Sequence, residues 1–286
     1  MQIKGTLIPI GGNEDKGILA DEMNSLEFIE EGILSHVVKE AGGVNAKIVV
    51  IPTASSIPEI VAKNYTAAFK KLGCIDINIL YIKSKKDSEK AETVDLINKA
   101  QCIMFSGGNQ SKITERILNT SIHTIMMDRY QKDEGFVIAG TSAGAMAMAS
   151  EMIAGGSSTE AFTKGAVKMK KGLGLMPQLT IDTHFIQRGR FGRLSEAVAK
   201  FPDLLGIGLA EDTGLIIKNG KEFKVIGSGM VIVFDAGNLT HNNEKILEAG
   251  TPMTMTNLVV HVLSNSDSYD IESRKVKVLP LDAPFV

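Results

Sequence analysis

Short apolar runs alternate with longer segments of helical periodicity over roughly the first 150 residues, and this order constrains the fold more than any other feature. Runs such as residues 47–52 and 102–105 are continuously apolar, as expected of strands that are buried on both faces. The segments between such runs, for example residues 57–72, place their apolar residues on one helical face. This alternation predicts an α/β fold with a mostly parallel sheet and helices on both faces.

The last third of the chain has a different pattern. Residues 214–217 and 223–234 are strand-like and flank a Lys-Asn-Gly-Lys turn, which predicts an antiparallel hairpin, and residues 251–264 are a further strand-like run. We predict a single domain over residues 1–286, whose antiparallel part at about 213–286 extends the sheet or packs beside it. The predicted strands of the first part are 6–12, 47–52, 77–82, 102–105 and 136–140, and the predicted helices are 26–42, 57–72, 88–100 and about 110–131.

Composition and charge exclude several classes of protein. Hydrophobic residues make up 44% of the chain and charged residues 22%, which is typical of a globular protein and not of a disordered one. With 31 Lys and Arg against 33 Asp and Glu, the net charge of −2 gives no field that would attract nucleic acid or an anionic membrane. The sequence shows no signal peptide, no membrane span and no metal-ligand spacing, so we expect a cytoplasmic protein without metal or cofactor.

Three predicted strands end in glycine-rich sequences, at 11–14, 106–110 and 140–144. The carboxyl ends of parallel strands meet at one edge of a sheet, so these three segments should lie together. The third reads Gly-Thr-Ser-Ala-Gly between a strand and a helix, the context of a nucleophile elbow. Ser142 is therefore a candidate nucleophile, with the amide of Ala143 as an oxyanion donor. The alternative is that Ser142 only caps the helix.

His184 is the strongest candidate for the general base that a serine nucleophile needs. It follows a strand-like run, with Asp182 two residues before it and Arg188, Arg190 and Arg193 within ten residues after it. On a strand, Asp182 and His184 would face the same side. The arginines are typical of a carboxylate-binding rim, because guanidinium groups pair with carboxylates in a bidentate way.

A third residue, an acid that orients the histidine, is not fixed by spacing. Asp182, Glu151, Glu160 and Asp212 are all candidates from the residues alone. Asp182 is mildly disfavoured, because a carboxylate two residues from His184 lies beside the imidazole ring, whereas an orienting acid lies behind it.

These sequence blocks together resemble the cyanophycinases, serine exopeptidases related to the aspartyl dipeptidases. The resemblance rests on Gly-Gly-Asn-Glu-Asp-Lys at 11–16, Ser-Gly-Gly-Asn-Gln at 106–110, Gly-Thr-Ser-Ala-Gly-Ala at 140–145, and Asp-Thr-His-Phe at 182–185 with its Arg-Gly-Arg tail. It implies a fold like that of class I glutamine amidotransferases (flavodoxin-like). It also implies hydrolysis of cyanophycin, a poly-aspartate that carries arginines on its side-chain carboxyls, to β-Asp-Arg dipeptides by a homodimer.

The resemblance also assigns roles to particular residues. It implies a Ser142, His184 and Glu160 triad, with oxyanion donors at Ala143 and at Gly108 or Asn109. Thr183 stands where the family usually has glutamine, so we expect an altered substrate contact there. The substrate-binding residues that it implies are Gln110, Asp182, Thr183, Arg188, Arg190 and Arg193.

Three alternatives remain, of which two are other hydrolases and one belongs to another class of protein. An α/β-hydrolase esterase shares the elbow, but its histidine normally follows the last strand, and here only 42 residues separate Ser142 from His184. An α-aspartyl dipeptidase is a related peptidase, and the arginine cluster argues against it. A non-catalytic binding protein on the same fold would not need the complete set of serine, histidine and acid.

Overall fold

The protein is described by a computed structural model that covers residues 3–17, 26–156 and 162–278. Its larger elements follow the predicted alternation of strands and helices through residue 146. The helices are α1 (Ile33–Glu40), α2 (Pro58–Lys71), α3 (Ala91–Lys99), α4 (Gln110–Ile117), α5 (Ser121–Lys132), α6 (Ala143–Met146) and α7 (Phe191–Lys200), with short 3-10 helices at Asp87–Glu89 and Glu244–Ile246. The strands are β1 (Thr6–Ile10), β2 (Ile48–Ile51), β3 (Ile77–Ile79), β4 (Cys102–Phe105), β5 (Val137–Thr141), β6 (Glu151–Gly156), β7 (Val167–Lys171), β8 (Leu179–Asp182), β9 (Leu205–Leu209), β10 (Thr213–Lys218), β11 (Glu222–Gly227), β12 (Val231–Asp235), β13 (His241–Asn242), β14 (Met255–Thr256), β15 (Val259–Leu263), β16 (Ser268–Asp270) and β17 (Lys275–Lys277).

The largest sheet of the described residues has nine strands in the order β17-β16-β11-β10-β1-β5-β4-β2-β3. The half from β1 to β3 is parallel, and the half from β1 to β17 is antiparallel. The first part of the chain is thus parallel as predicted, and antiparallel C-terminal strands extend it, one of the two arrangements expected, so that the sheet as a whole is mixed. Strands that return through short turns instead of helices must pair antiparallel, and the hairpin predicted around residues 218–221 is one of these.

Helices pack on both faces of the parallel half, as predicted. Successive side chains of a strand point to opposite faces, and the buried residues divide accordingly. Val49 and Ile51 pack in the same apolar cluster as residues of α3, α4 and α5, whereas Ile48 and Val50 pack with α1 and α2. The strands are thus apolar on both sides because both faces of the sheet are covered.

A second, four-stranded sheet has the order β15-β12-β9-β8, with β8 and β9 parallel and the other pairs antiparallel. The C-terminal strands are therefore divided between two sheets. The predicted strand over residues 223–234 is in fact two strands, β11 and β12, that belong to different sheets. The chain crosses between the sheets at Gly227-Ser228-Gly229, where Gly227 has a φ of 99° and a Cβ would lie 2.2 Å from the Asp212 carbonyl oxygen.

Two predicted helices differ in their bounds. The helix predicted over residues 26–42 is restricted to Ile33–Glu40, with Gly32 in extended conformation at its N-cap. The helical stretch predicted over about 110–131 is two helices, α4 and α5, separated at Asn119, which has a φ of 59°. Among the helices of the described ranges, none combines the length and apolarity required to cross a bilayer.

Candidate active site

Ser142 lies immediately after β5, in a sharp turn from strand to helix. Its backbone has φ 51° and ψ −109°, a combination that residues other than glycine rarely adopt. Its amide donates to the Ile10 carbonyl at 2.8 Å. The flanking glycines are required by space, because a Cβ on Gly140 would lie 2.7 Å from the Gly144 carbonyl carbon and one on Gly144 would lie 2.7 Å from Phe105. This strained and tightly packed turn has the geometry of a nucleophile elbow.

His184 bridges Ser142 and Glu211. Its Nε2 lies 2.9 Å from Ser142 Oγ, and its Nδ1 lies 2.6 Å from Glu211 Oε1. The histidine backbone has φ 48°, outside β8, and its amide donates to the Gly11 carbonyl at 2.9 Å. The arrangement joins a serine at the end of the large sheet to a histidine and an acid that follow strands of the small sheet.

Burial and nearby charges set the protonation of this pair. Burial lowers the pKa of His184, and the positive charges of Arg188 and Arg190 add to that effect, whereas the bond to Glu211 opposes it. The pKa of His184 therefore lies below its ordinary value, so the imidazole is neutral and able to accept a proton at neutral pH. Burial raises the pKa of Glu211, but the hydrogen bonds from His184 and Asn13 outweigh it, and the pKa ends below the usual range.

The acid on His184 differs from the one that the family resemblance implied. Nδ1 has one hydrogen-bonding position, and Glu211 occupies it, whereas the resemblance implied Glu160. Glu160 itself lies outside the described residues. Of the other candidates, Glu151 pairs with Lys171 on the surface hairpin, and the Asp212 carboxylate accepts from Ser228 Oγ at 2.6 Å and from the Asp15 amide at 3.1 Å.

Glu211 was missed because sequence spacing places it 27 residues beyond His184, with a whole helix between them. The available signal was its position after an apolar run, residues 205–209, which is β9. Since β8 and β9 are parallel neighbours, the residues that follow their carboxyl ends meet at the same edge. His184 follows β8 and Glu211 follows β9.

Asp182 does not face the site. Its side chain is 0% exposed and accepts hydrogen bonds from Arg193 Nε at 2.7 Å, Arg193 Nη2 at 2.5 Å, Arg190 Nη1 at 2.9 Å and the Thr183 amide at 2.9 Å. The predictions that Asp182 binds substrate, and that Arg190 and Arg193 belong to an open carboxylate-binding rim, are therefore wrong. A buried carboxylate saturated by two guanidinium groups has no free oxygen for a ligand. Arg188 alone of the three arginines is exposed and lines the cavity beside Ser142.

Two further predicted contacts point elsewhere. Thr183 is 0% exposed and its hydroxyl lies 3.4 Å from Met146 Sδ, so it is a core residue and not a substrate contact. Gln110 is half-buried, and its Nε2 donates to the Ile153 carbonyl at 2.8 Å. Its side chain is accordingly fixed against the β6 strand, and it is not among the described residues that line the cavity.

The backbone amides near Ser142 separate into free and bonded donors. The Asn109 amide donates to the Ala54 carbonyl at 2.9 Å, which removes it as an oxyanion donor and corrects that alternative. Within the described residues, the amides of Gly108 and Ala143 have no such protein acceptor. Gly108 has a φ of 137°, and a Cβ there would lie 2.2 Å from the Ala54 oxygen, so only glycine fits.

A cavity of about 370 Å³ opens onto Ser142 and His184. Its walls include four further side chains from the segment after β1 and from α2 that sequence reasoning did not single out: Glu14, Lys16, Asn64 and Tyr65. The first two were visible in the glycine-rich block at 11–16, but no pattern indicated their role. In the part of the chain that the structure describes, no group of three His, Cys, Asp or Glu residues is placed to hold a metal ion.

Comparisons with known proteins agree with the peptidase geometry. The family model described as Peptidase family S51 matches residues 23–226. The chain is 35% identical over 273 residues to a protein named cyanophycinase from a Nostoc species, covering 96% of this chain and 88% of the relative. A cyanophycinase of Synechococcus elongatus is 32% identical over 275 residues, covering 96% and 81%. This chain belongs to peptidase family S51, in the group of the cyanophycinases.

A solved structure shows the same fold. The crystal structure of a peptidase from an acI-B1 Actinobacterium superposes with a TM-score of 0.61 at 20% sequence identity. The match covers 94% of this chain and 98% of that chain. The likeness therefore extends over both sheets described above.

Proposed function

We propose that this protein is a serine exopeptidase that degrades cyanophycin to β-Asp-Arg dipeptides, with Ser142, His184 and Glu211 as its triad. The observation that carries the proposal is the continuous chain of hydrogen-bonding atoms, 2.9 Å from Ser142 Oγ to His184 Nε2 and 2.6 Å from His184 Nδ1 to Glu211 Oε1. The substrate is inferred from relatives that are named cyanophycinase, and the similarity to them covers 96% of this chain.

The chemistry follows from these contacts. Ser142 Oγ attacks the scissile carbonyl carbon while His184 Nε2 takes its proton, and Glu211 holds the proton on Nδ1 and stabilises the imidazolium. His184 then gives the proton to the leaving amine, which departs as the C–N bond breaks and leaves an acyl group on Ser142. Water, deprotonated by the same imidazole, releases the acyl group.

Two backbone amides are proposed to bind the oxyanion of each tetrahedral intermediate. Ala143 follows the nucleophile directly, and its amide is without a protein acceptor in the described residues, as is that of Gly108. Gly107 packs against the nucleophile, since a Cβ there would lie 3.4 Å from Ser142 Cβ. Donors fixed in advance around a developing negative charge stabilise the transition state without reorganisation.

The same proposal extends to the fold type and the assembly. The parallel half of the large sheet, with helices on both faces and the nucleophile after β5, supports an architecture like that of class I glutamine amidotransferases. A homodimer is supported by exposed apolar residues on one face of the small sheet. Val260 and Val262 are 44% and 64% exposed and stand across from Phe234 and Ile232 of β12. Sedimentation at several protein concentrations tests the homodimer.

The activity is tested with purified protein and insoluble cyanophycin. We expect clearing of the suspension and release of β-Asp-Arg, and loss of both with Ser142→Ala. Clearing that survives Ser142→Ala would contradict the serine mechanism. Release of α-aspartyl dipeptides from short peptides, without clearing, would assign the protein to the dipeptidases instead. Absence of both reactions, with retained binding of the polymer, would assign a binding protein.

A further inference from the structure

Glu14 forms a buried anionic centre under the cavity. Its side chain is 0% exposed and accepts from Tyr65 Oη at 2.5 Å and Thr141 Oγ1 at 2.5 Å. Burial raises the pKa of Glu14, but the charge of Lys16 and the two hydroxyl hydrogen bonds outweigh it and leave the pKa below its usual value. The carboxylate is therefore ionised, and its hydrogen-bonding partners all come from the protein itself.

Lys16 is the cation that this centre holds in place. Its Nζ lies 3.0 Å from Glu14 Oε1, 3.2 Å from the Glu14 carbonyl oxygen and 5.2 Å from the centre of the Tyr65 ring. The side chain is 26% exposed and lines the cavity together with Ser142 and His184. An ammonium group has three N–H donors, and the two Glu14 acceptors use two of them. One donor remains for a ligand in the cavity.

Arg188 is a second, exposed cation on the same cavity, and among the described residues its guanidinium takes part in no side-chain hydrogen bond or ion pair. The other two arginines near it are consumed by Asp182. Ammonium and guanidinium groups with unused donors bind carboxylates through charge-assisted hydrogen bonds. The site therefore offers two separate carboxylate-binding positions.

The end of a cyanophycin chain carries two such carboxylates. The last aspartate keeps its α-carboxylate, and the arginine attached to its side chain keeps its own. We propose that Lys16 is a specificity-determining residue that binds one of these two carboxylates while Arg188 binds the other. This inference rests on the proposed function, and it explains selection of a terminal β-Asp-Arg unit, because an α-linked dipeptide presents its carboxylates in a different arrangement.

The experiment measures binding, so that it does not depend on turnover. In a Ser142→Ala background, calorimetry compares a trimer of β-Asp-Arg with two versions in which the terminal aspartate or the terminal arginine carboxylate is amidated. Lys16→Met should weaken binding of the unmodified trimer about tenfold, which is the cost of one charge-assisted hydrogen bond. It should leave unchanged the affinity for the one amidated peptide that lacks the carboxylate bound by Lys16. Arg188→Gln should show the same insensitivity with the other amide.

Three controls separate this role from a structural one. Lys63→Met removes an exposed lysine of α2 outside the cavity and should change nothing. Lys16→Arg keeps the charge beside Glu14 and should retain the preference for the free carboxylates. The double variant Glu14→Gln with Lys16→Met leaves no unpaired buried charge and should bind like Lys16→Met alone.

The inference is overturned if Lys16→Met weakens all three peptides equally, or none of them, or if the Ser142→Ala protein binds no peptide. Failure of the proposed function would be observed differently, because the wild-type protein would then not release β-Asp-Arg from the polymer. A wild-type enzyme that hydrolyses cyanophycin but binds these peptides independently of Lys16 would refute the inference and leave the function intact.

Discussion

Replacing Glu211 by glutamine should abolish most of the activity by reversing the tautomer of His184. The Glu211 carboxylate accepts hydrogen bonds both from His184 Nδ1, at 2.6 Å, and from Asn13. After Glu211→Gln, the amide oxygen remains the acceptor for Asn13, which turns the amide nitrogen towards Nδ1. A donor at Nδ1 forces the ring proton onto Nε2, and a protonated Nε2 can no longer accept the proton of Ser142.

The expected loss is about 10⁴-fold in kcat, the size known for an asparagine in place of a triad aspartate, and it corresponds to roughly 5.4 kcal/mol of transition-state stabilisation. The KM should change little, since Glu211 contacts the imidazole and not the cavity surface described above. Kinetics on a soluble β-Asp-Arg oligomer measure both constants, and circular dichroism verifies the fold.

The matched control is Glu160→Gln, the acid that the family resemblance implied. We expect it to retain kcat within a few-fold. The reasoning is refuted if Glu160→Gln loses as much activity as expected for Glu211→Gln while Glu211→Gln stays within tenfold of wild type. The contact at Nδ1 would then not be the one that orients the base during catalysis.

Three further outcomes follow from the same contacts. Gly12→Ala should lower kcat/KM about a hundredfold or more, because the new Cβ would lie 2.3 Å from His184 Cε1 and displace the base. Gly42→Ala is the control, since Gly42 has a similar φ but open space around it, so this variant measures the cost of backbone strain alone. Arg188→Gln should move the acid limb of the kcat/KM profile to higher pH, because a positive charge that lowers the His184 pKa is removed; an unchanged or lower limb contradicts this. Asp182→Asn should reduce the free energy of unfolding in urea by about 3–5 kcal/mol, since the buried guanidinium of Arg193 and the half-buried one of Arg190 lose their counter-ion. A loss under 1 kcal/mol would show that the cluster is solvated.

Local features of the site were predictable because they depend on neighbours in the chain. The elbow at Ser142 requires small residues beside it, and Gly140 and Gly144 supply them two positions away on either side. The parallel half of the sheet follows from apolar runs that helices separate, since a covered sheet needs apolar side chains on both faces. The division of the C-terminal strands between two sheets did not follow, because the sequence of an apolar strand does not specify which strand it pairs with.

Charge was the property that the sequence misassigned. Three arginines close to a histidine predicted an open cationic rim, yet Arg190 and Arg193 point inward to Asp182 and only Arg188 reaches the cavity. A charged residue has the same letter whether it is solvated or buried with a counter-ion. Its role is decided by burial, and burial depends on which face of the final structure its side chain points to.

The nucleophile candidate, the base candidate and the succession of strands and helices all follow from local sequence patterns. The acid that meets the base does not, because Glu211 reaches His184 through the pairing of β8 with β9 and not through sequence proximity. The cavity likewise depends on the tertiary structure, which brings residues that follow β1 against α2 and the end of β5. Catalytic geometry here is a product of strand order, and strand order is fixed by long-range packing that no local spacing records.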